Sequence, residues 1–148
     1  MIGWYEAYFE ERFCRIPADL ETPPLQRLVQ CMNTARNRLA RYHFLRGCLV
    51  SNLSQELGST DPLLSKKLQA VFRRWESWID SVLAQAKARN ELPPDTDTES
   101  LSRIFWIGWQ GAILRAKLER SEKPPDDFSN FFIAYATQGG KFYKEKVR

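Results

Sequence analysis

The chain has 148 residues, 43% of them hydrophobic and 13% aromatic, including five tryptophans. That is the size of one domain with room for an apolar core, and the aromatic content excludes a disordered chain. The formal charge is +4, but the tail Lys141–Arg148 carries four basic residues against one acid, which makes a solvated tail rather than a nucleic-acid groove.

Between clusters of Pro and Gly the sequence keeps a helical period, and no alternating β-branched run marks a strand. A first helix is expected from about Gly3 to Cys14. Trp4, Tyr5, Tyr8, Phe9 and Phe13 share one face, Cys14 is exposed opposite them, and Pro17 lies just past the end. A second helix opens at Thr22-Pro23-Pro24, with Thr22 as N-cap and Pro23 at the first helical position. Its stripe is Leu25, Leu28, Val29, Met32, Ala35 and Leu39, and it ends near His43.

A short third helix, Cys48–Leu57, lies between Gly47 and Gly58 and turns Leu49, Leu53 and Leu57 inward, with Cys48 and Asn52 on its flank. The fourth is the longest, from Asp61-Pro62 to about Asn90. Asp61 caps it, Leu64, Leu68, Val71, Phe72, Trp75, Trp78, Ile79, Val82, Leu83 and Ala86 hold one face, and Pro93-Pro94 stops it. The fifth follows Thr96 and Glu99, which have capping-box spacing. From Leu101 to Leu118 it is apolar nearly all round, the mark of a helix central in the core or shared with a partner subunit. The sixth follows Pro124-Pro125-Asp126, shows Phe128, Phe131, Phe132 and Tyr135 on its face, and ends at Gly139-Gly140. The expectation is an all-α domain of six helices.

Little in the chain carries catalysis. His43 is the single histidine, with no Ser/His/Asp spacing around it. No HExxH, ExxH or CxxC pattern supplies metal ligands, and no glycine-rich loop cradles a phosphate. Neither an enzyme nor a metal or cofactor is expected. Gly108 and Gly111 lie inside a helix, where they permit close helix approach. The longest apolar run, Ile104–Trp109, is too short to span a bilayer. The N-terminus has no signal-peptide pattern, and three cysteines without paired spacing argue against a disulfide framework, so a reducing cytoplasm is expected.

The thiols differ in setting. Cys14 reads as a surface thiol and Cys31 as a small core filler. Cys48 sits at the first turn of a helix after Arg46-Gly47, where unpaired N–H groups, the helix dipole and a nearby cation favour thiolate; a buried, inert cysteine is the other reading. Lys117 follows Trp106, Gln110 and Ile113 on one helix face, and either reaches solvent or is partly desolvated. Trp75, Trp78, Trp106 and Trp109 are either core or the lining of a ligand pocket, for which His43, Asn52, Phe72 and Gln110 are further candidates.

Three stretches taken together resemble a known family: Gly47-Cys48-Leu49 through Leu57, the long helix ending in Glu91-Leu92-Pro93, and Gly108 through Ala116-Lys117 to Arg120-Ser121. Over about residues 1–138 the chain resembles the C-terminal effector domain of TetR-family transcription regulators, and within them the NemR-like regulators that respond to reactive electrophiles. The resemblance implies a sensing and dimerisation domain over residues 1–140 that takes a small electrophile, oxidant or apolar ligand as effector. It implies that the last two helices form a dimeric four-helix bundle, with Gly108, Gly111, Ala112, Phe128, Phe131, Phe132 and Tyr135 as candidate interface residues. It also implies Cys48 as the sensing thiol and Lys117 as its partner. The family's N-terminal helix-turn-helix has no match here, so DNA would be bound only through a domain that these residues do not contain, and the first helix would be the one linking the two domains. Whether the sequence is a piece of a longer regulator or a product lacking its DNA reader stays open. So does the alternative of a helical homodimeric interaction module without a sensing function.

Overall fold

The computed structural model describes residues 2–9 and 20–142. Five helices, α2 (Pro24–Arg41), α3 (Leu49–Leu57), α4 (Pro62–Ala88), α5 (Thr98–Glu119) and α6 (Lys123–Thr137), follow a short α1 (Ile2–Phe9), and no strand occurs among the described residues. The expected continuation of the first helix to Cys14, with Phe13, the exposed thiol and Pro17, lies outside the described residues, as does the basic tail beyond Phe142.

Local chemistry sets the helix ends. The Asp61 carboxylate accepts hydrogen bonds from the N–H groups of Leu63 and Leu64, both at 3.0 Å, and Pro62 opens α4 where its missing N–H costs nothing. Two other expected caps move by one residue. Pro23, not Thr22, caps α2, and Pro24 takes the first helical position. Asp97, not Thr96, caps α5: its side chain accepts from Ser100 N at 3.0 Å, while the buried Thr96 hydroxyl donates to Pro93 O at 2.7 Å. Cys48 is the N-cap of α3 rather than its first helical residue. The α2 helix stops at Arg41, before His43, in a turn that places His43 and Phe44 at φ 54° and 59°.

Helix α4 packs along α5, α5 along α6, α2 bridges α4 and α6, and α3 lies against α4. The shared core takes Leu28, Cys31 and Met32 from α2, Val50 from α3, Trp75, Ile79 and Leu83 from α4, Phe105, Trp106 and Trp109 from α5, and Phe132 from α6. Cys31 is thus a core filler. On α3, Val50 is the fully buried residue, Leu49 and Leu53 are half-buried and Leu57 is exposed, so the inward face is rotated from the one expected. An ion pair joins α2 to the start of α6, with Arg36 Nη1 2.6 Å from Asp126 Oδ1.

Gly108 fixes how closely α5 and α6 approach. A Cβ there would come within 2.9 Å of Phe128 Cδ2 and Cζ. The Phe128 ring has little freedom to give way, because it packs on Phe105, Trp109 and Phe132 at centroid distances of 5.8, 6.2 and 5.8 Å. Gly108→Val is therefore expected to destabilise the domain by about 1–3 kcal/mol, the usual cost of overpacking. Thermal unfolding followed by circular dichroism checks this, and an unchanged midpoint would show that the two helices separate freely.

Candidate functional site: a thiol-lined cleft

A cleft of about 240 Å³ opens between α3, Phe72 of α4 and the second half of α5. That is below the range of roughly 300–1,000 Å³ usual for drug-sized ligands, so it suits a molecule of few atoms. Its α3 wall comprises Gly47, Cys48, Ser51, Asn52, Ser54 and Gln55. Its α5 wall comprises Gln110, Ile113, Leu114 and Lys117. Cys48 and Lys117, far apart in sequence, line the same space. Each wall follows from helical period: Cys48, Ser51, Asn52 and Gln55 recur every three or four residues, as do Gln110, Ile113, Leu114 and Lys117.

The chemistry of the walls is uneven. The Cys48 thiol is free and half-buried. Lys117 is exposed overall, but its stem crosses close over Gly47: a Cβ at Gly47 would lie 3.7 Å from Lys117 Cδ and 3.9 Å from Asn52 Nδ2. Ser51 Oγ and Gln110 Nε2 are buried polar atoms without a hydrogen-bond partner, and both belong to cleft-lining residues. Buried polar groups ordinarily find partners, so two unpaired ones on residues of one cleft are candidates for contact with a polar group. Phe72, Ile113 and Leu114 supply apolar wall, and no Asp or Glu lines the cleft. Among the described residues no cluster of three or more His, Cys, Asp or Glu could hold a metal ion, and no helix is long and apolar enough to cross a membrane.

Of the candidate pocket residues, Asn52, Phe72 and Gln110 line this cleft. His43 does not: it is exposed in the left-handed turn that ends α2. Nor do the four tryptophans. Trp75, Trp106 and Trp109 are buried in the core, with Trp75 and Trp106 rings 4.9 Å apart, and half-buried Trp78 packs against that core. Ser51, Ser54 and Gln55 were missed by sequence reasoning, although they share the α3 flank of Cys48 and Asn52.

The candidate interface residues also divide. Gly108, Phe128 and Phe132 are used within the chain, in the packing of α5 on α6, and Ala112 is buried. Gly111 is open, with nothing near its missing Cβ, and Phe131 is 61% exposed. Tyr135 is half-buried, and its ring stacks with Phe131 at 5.7 Å. The exposed α5 face carries Ile104, Ile107, Leu114 and Leu118, with Gly111 at its centre.

Comparison with known proteins decides the family. The profile of the tetracyclin repressor-like C-terminal domain matches residues 24–132, most of the chain. The chain belongs to this family. It is 38% identical over 132 residues to transcriptional regulator AcuR of Cereibacter sphaeroides, covering 89% of this chain and 60% of AcuR. It is 28% identical over 110 residues to HTH-type transcriptional repressor DhaR of Mycobacterium sp. strain GP1, covering 74% of this chain and 54% of DhaR. The chain thus spans little more than half the length of these two relatives. The fold is similar to the crystal structure of regulatory protein TetR from Rhodobacter sphaeroides, with a TM-score of 0.86 and 37% identity over 90% of this chain and 71% of that one.

Proposed function

We propose that residues 1–140 are the effector-sensing and dimerisation domain of a TetR-like repressor, with the α3–α5 cleft as effector site, Cys48 as sensing thiol and Lys117 as its partner. The observation that carries this reading is the meeting of a free, half-buried thiol and a lysine stem on one small cleft. The effector is a small electrophile. Its reactive atom faces Cys48, and a hydrogen-bond acceptor on it meets Gln110 Nε2. The ammonium of Lys117 pairs with negative charge at the sulfur or on the bound molecule. In a full-length regulator, DNA contact falls to a helix-turn-helix domain joined through α1; the relative DhaR is an HTH-type transcriptional repressor.

Competitive labelling with iodoacetamide near neutral pH, mapped by mass spectrometry, tests the assignment. The sulfur–carbon bond forms, iodide leaves and the thiol proton goes to solvent. Cys48 is expected to label ahead of Cys14 and Cys31. Lys117→Ala is expected to slow it about five-fold, the equivalent of roughly 1 kcal/mol for a partly exposed charge pair. Faster labelling of Cys14 or Cys31, or an unchanged Cys48 rate in the lysine variant, overturns the sensing role. The reading as an interaction module alone then stands, supported by the exposed apolar face of α5.

A further inference from the structure

We propose that a series of guanidinium groups and rings running through Tyr42 couples the cleft to α1. The Arg46 guanidinium carbon lies over the Tyr42 ring at 4.1 Å, and that of Arg38 lies near the same ring at 5.8 Å. Arg38 also covers the Tyr8 ring at 4.7 Å, and Tyr8 stacks on Trp4 at 5.4 Å with an interplanar angle of 13°. The series Arg46–Tyr42–Arg38–Tyr8–Trp4 therefore runs from the segment leading into α3, past the end of α2, to α1.

Its cleft end is short and direct. Gly47 and Cys48 line the cleft, and Arg46 precedes them in the chain. The Gly47 backbone lies under the Lys117 stem, so bulk in the cleft acts on Gly47 and Cys48 with little slack. Successive Cα atoms are about 3.8 Å apart, so a shift at Gly47 is felt at Arg46. The turn between is set against relaxation. His43 and Phe44 both hold left-handed φ, at 54° and 59°, which L-residues avoid, and Phe44 N donates to Leu39 O at 2.8 Å. Phe44 packs on the core, whereas the Tyr42 ring is in contact with both arginines. Movement of Arg46 thus releases or tightens Tyr42, and Arg38 carries the change to Tyr8.

This deepens the sensing role proposed for the cleft and rests on it, so its test includes perturbations that need no thiol reactivity. The chain is labelled with 5-fluorotryptophan, and the Trp4 fluorine resonance is assigned by Trp4→Phe. The cleft is filled in three ways: by iodoacetamide on Cys48, by Cys48→Phe and by Asn52→Phe. The last lies at an exposed position that keeps the core intact. Each is expected to shift the Trp4 resonance. Tyr42→Leu is expected to cut that shift at least about five-fold, as loss of cation–π contacts of ordinary strength would. Tyr42→Phe, which keeps the ring face, retains it. A Trp4 resonance unmoved by both substitutions, or moved equally with Tyr42→Leu, overturns the coupling. Failure of Cys48 to alkylate while Asn52→Phe still moves Trp4 overturns the thiol-sensing role and leaves the coupling supported.

Discussion

Phe105→Ala is expected to cost about 3–5 kcal/mol, the range for removing a large aromatic from a packed core. Phe105 is fully buried in α5, and four rings surround it: Trp106 at 5.4 Å, Trp109 at 6.1 Å, Phe128 at 5.8 Å and Phe132 at 5.1 Å. The ring therefore joins α5 to α6, and its removal leaves a void lined by stiff side chains that cannot collapse around it. Domains of this size are stable by roughly 5–15 kcal/mol, so the loss removes a large part of the total. Phe105→Leu retains most of the volume and is expected to cost under about 1.5 kcal/mol. Urea unfolding followed by circular dichroism measures both. A loss below about 1 kcal/mol for the alanine variant would mean that the aromatic cluster does not hold the two helices together.

How much of this arrangement the sequence discloses depends on whether a feature is local. The Asp61-Pro62 start of α4 is legible because one carboxylate and one missing N–H satisfy the helix end by themselves. At Thr96-Asp97 two capping residues stand side by side, and the choice between them falls to tertiary contacts, with Thr96 turned inward to Pro93 O. Period alone puts Trp75, Trp106 and Trp109 on the inner faces of their helices. It does not say whether an inner face meets another helix or an empty pocket, and here it meets the core. Cys48 and Lys117 stand out individually by their settings, but their meeting across the cleft depends on the register of α3 against α5, which no local pattern encodes. Leu57 follows the helical period and is nonetheless exposed, because α3 ends there and the chain turns away.

The two glycines of α5 show the same limit and supply the sharpest test of assembly. Period assigns both to close helix approach. Gly108 meets Phe128 within the chain, whereas Gly111 meets nothing. Ile104, Ile107, Gly111, Leu114 and Leu118, all exposed, recur at alternating spacings of three and four, the seam pattern by which one helix packs against another. Ile107 is 60% and Leu118 72% exposed in the single chain, and Phe131 of α6 adds apolar area outside the chain's own core. In a two-fold dimer built on this seam, each Gly111 lies close to its counterpart or to the facing helix. Gly111→Arg places a charge at the centre of that apolar contact and, by symmetry, does so twice. The dimer dissociation constant is expected to rise at least about 100-fold, the equivalent of roughly 2.7 kcal/mol. The isolated domain is not expected to lose stability, since Arg is a better helix former than Gly by about 0.5–1 kcal/mol. Light scattering and circular dichroism on the same samples separate the two effects. A variant that stays dimeric at micromolar concentration removes this face of α5 from the interface. A variant that becomes monomeric while keeping its helical signal assigns the face to subunit contact.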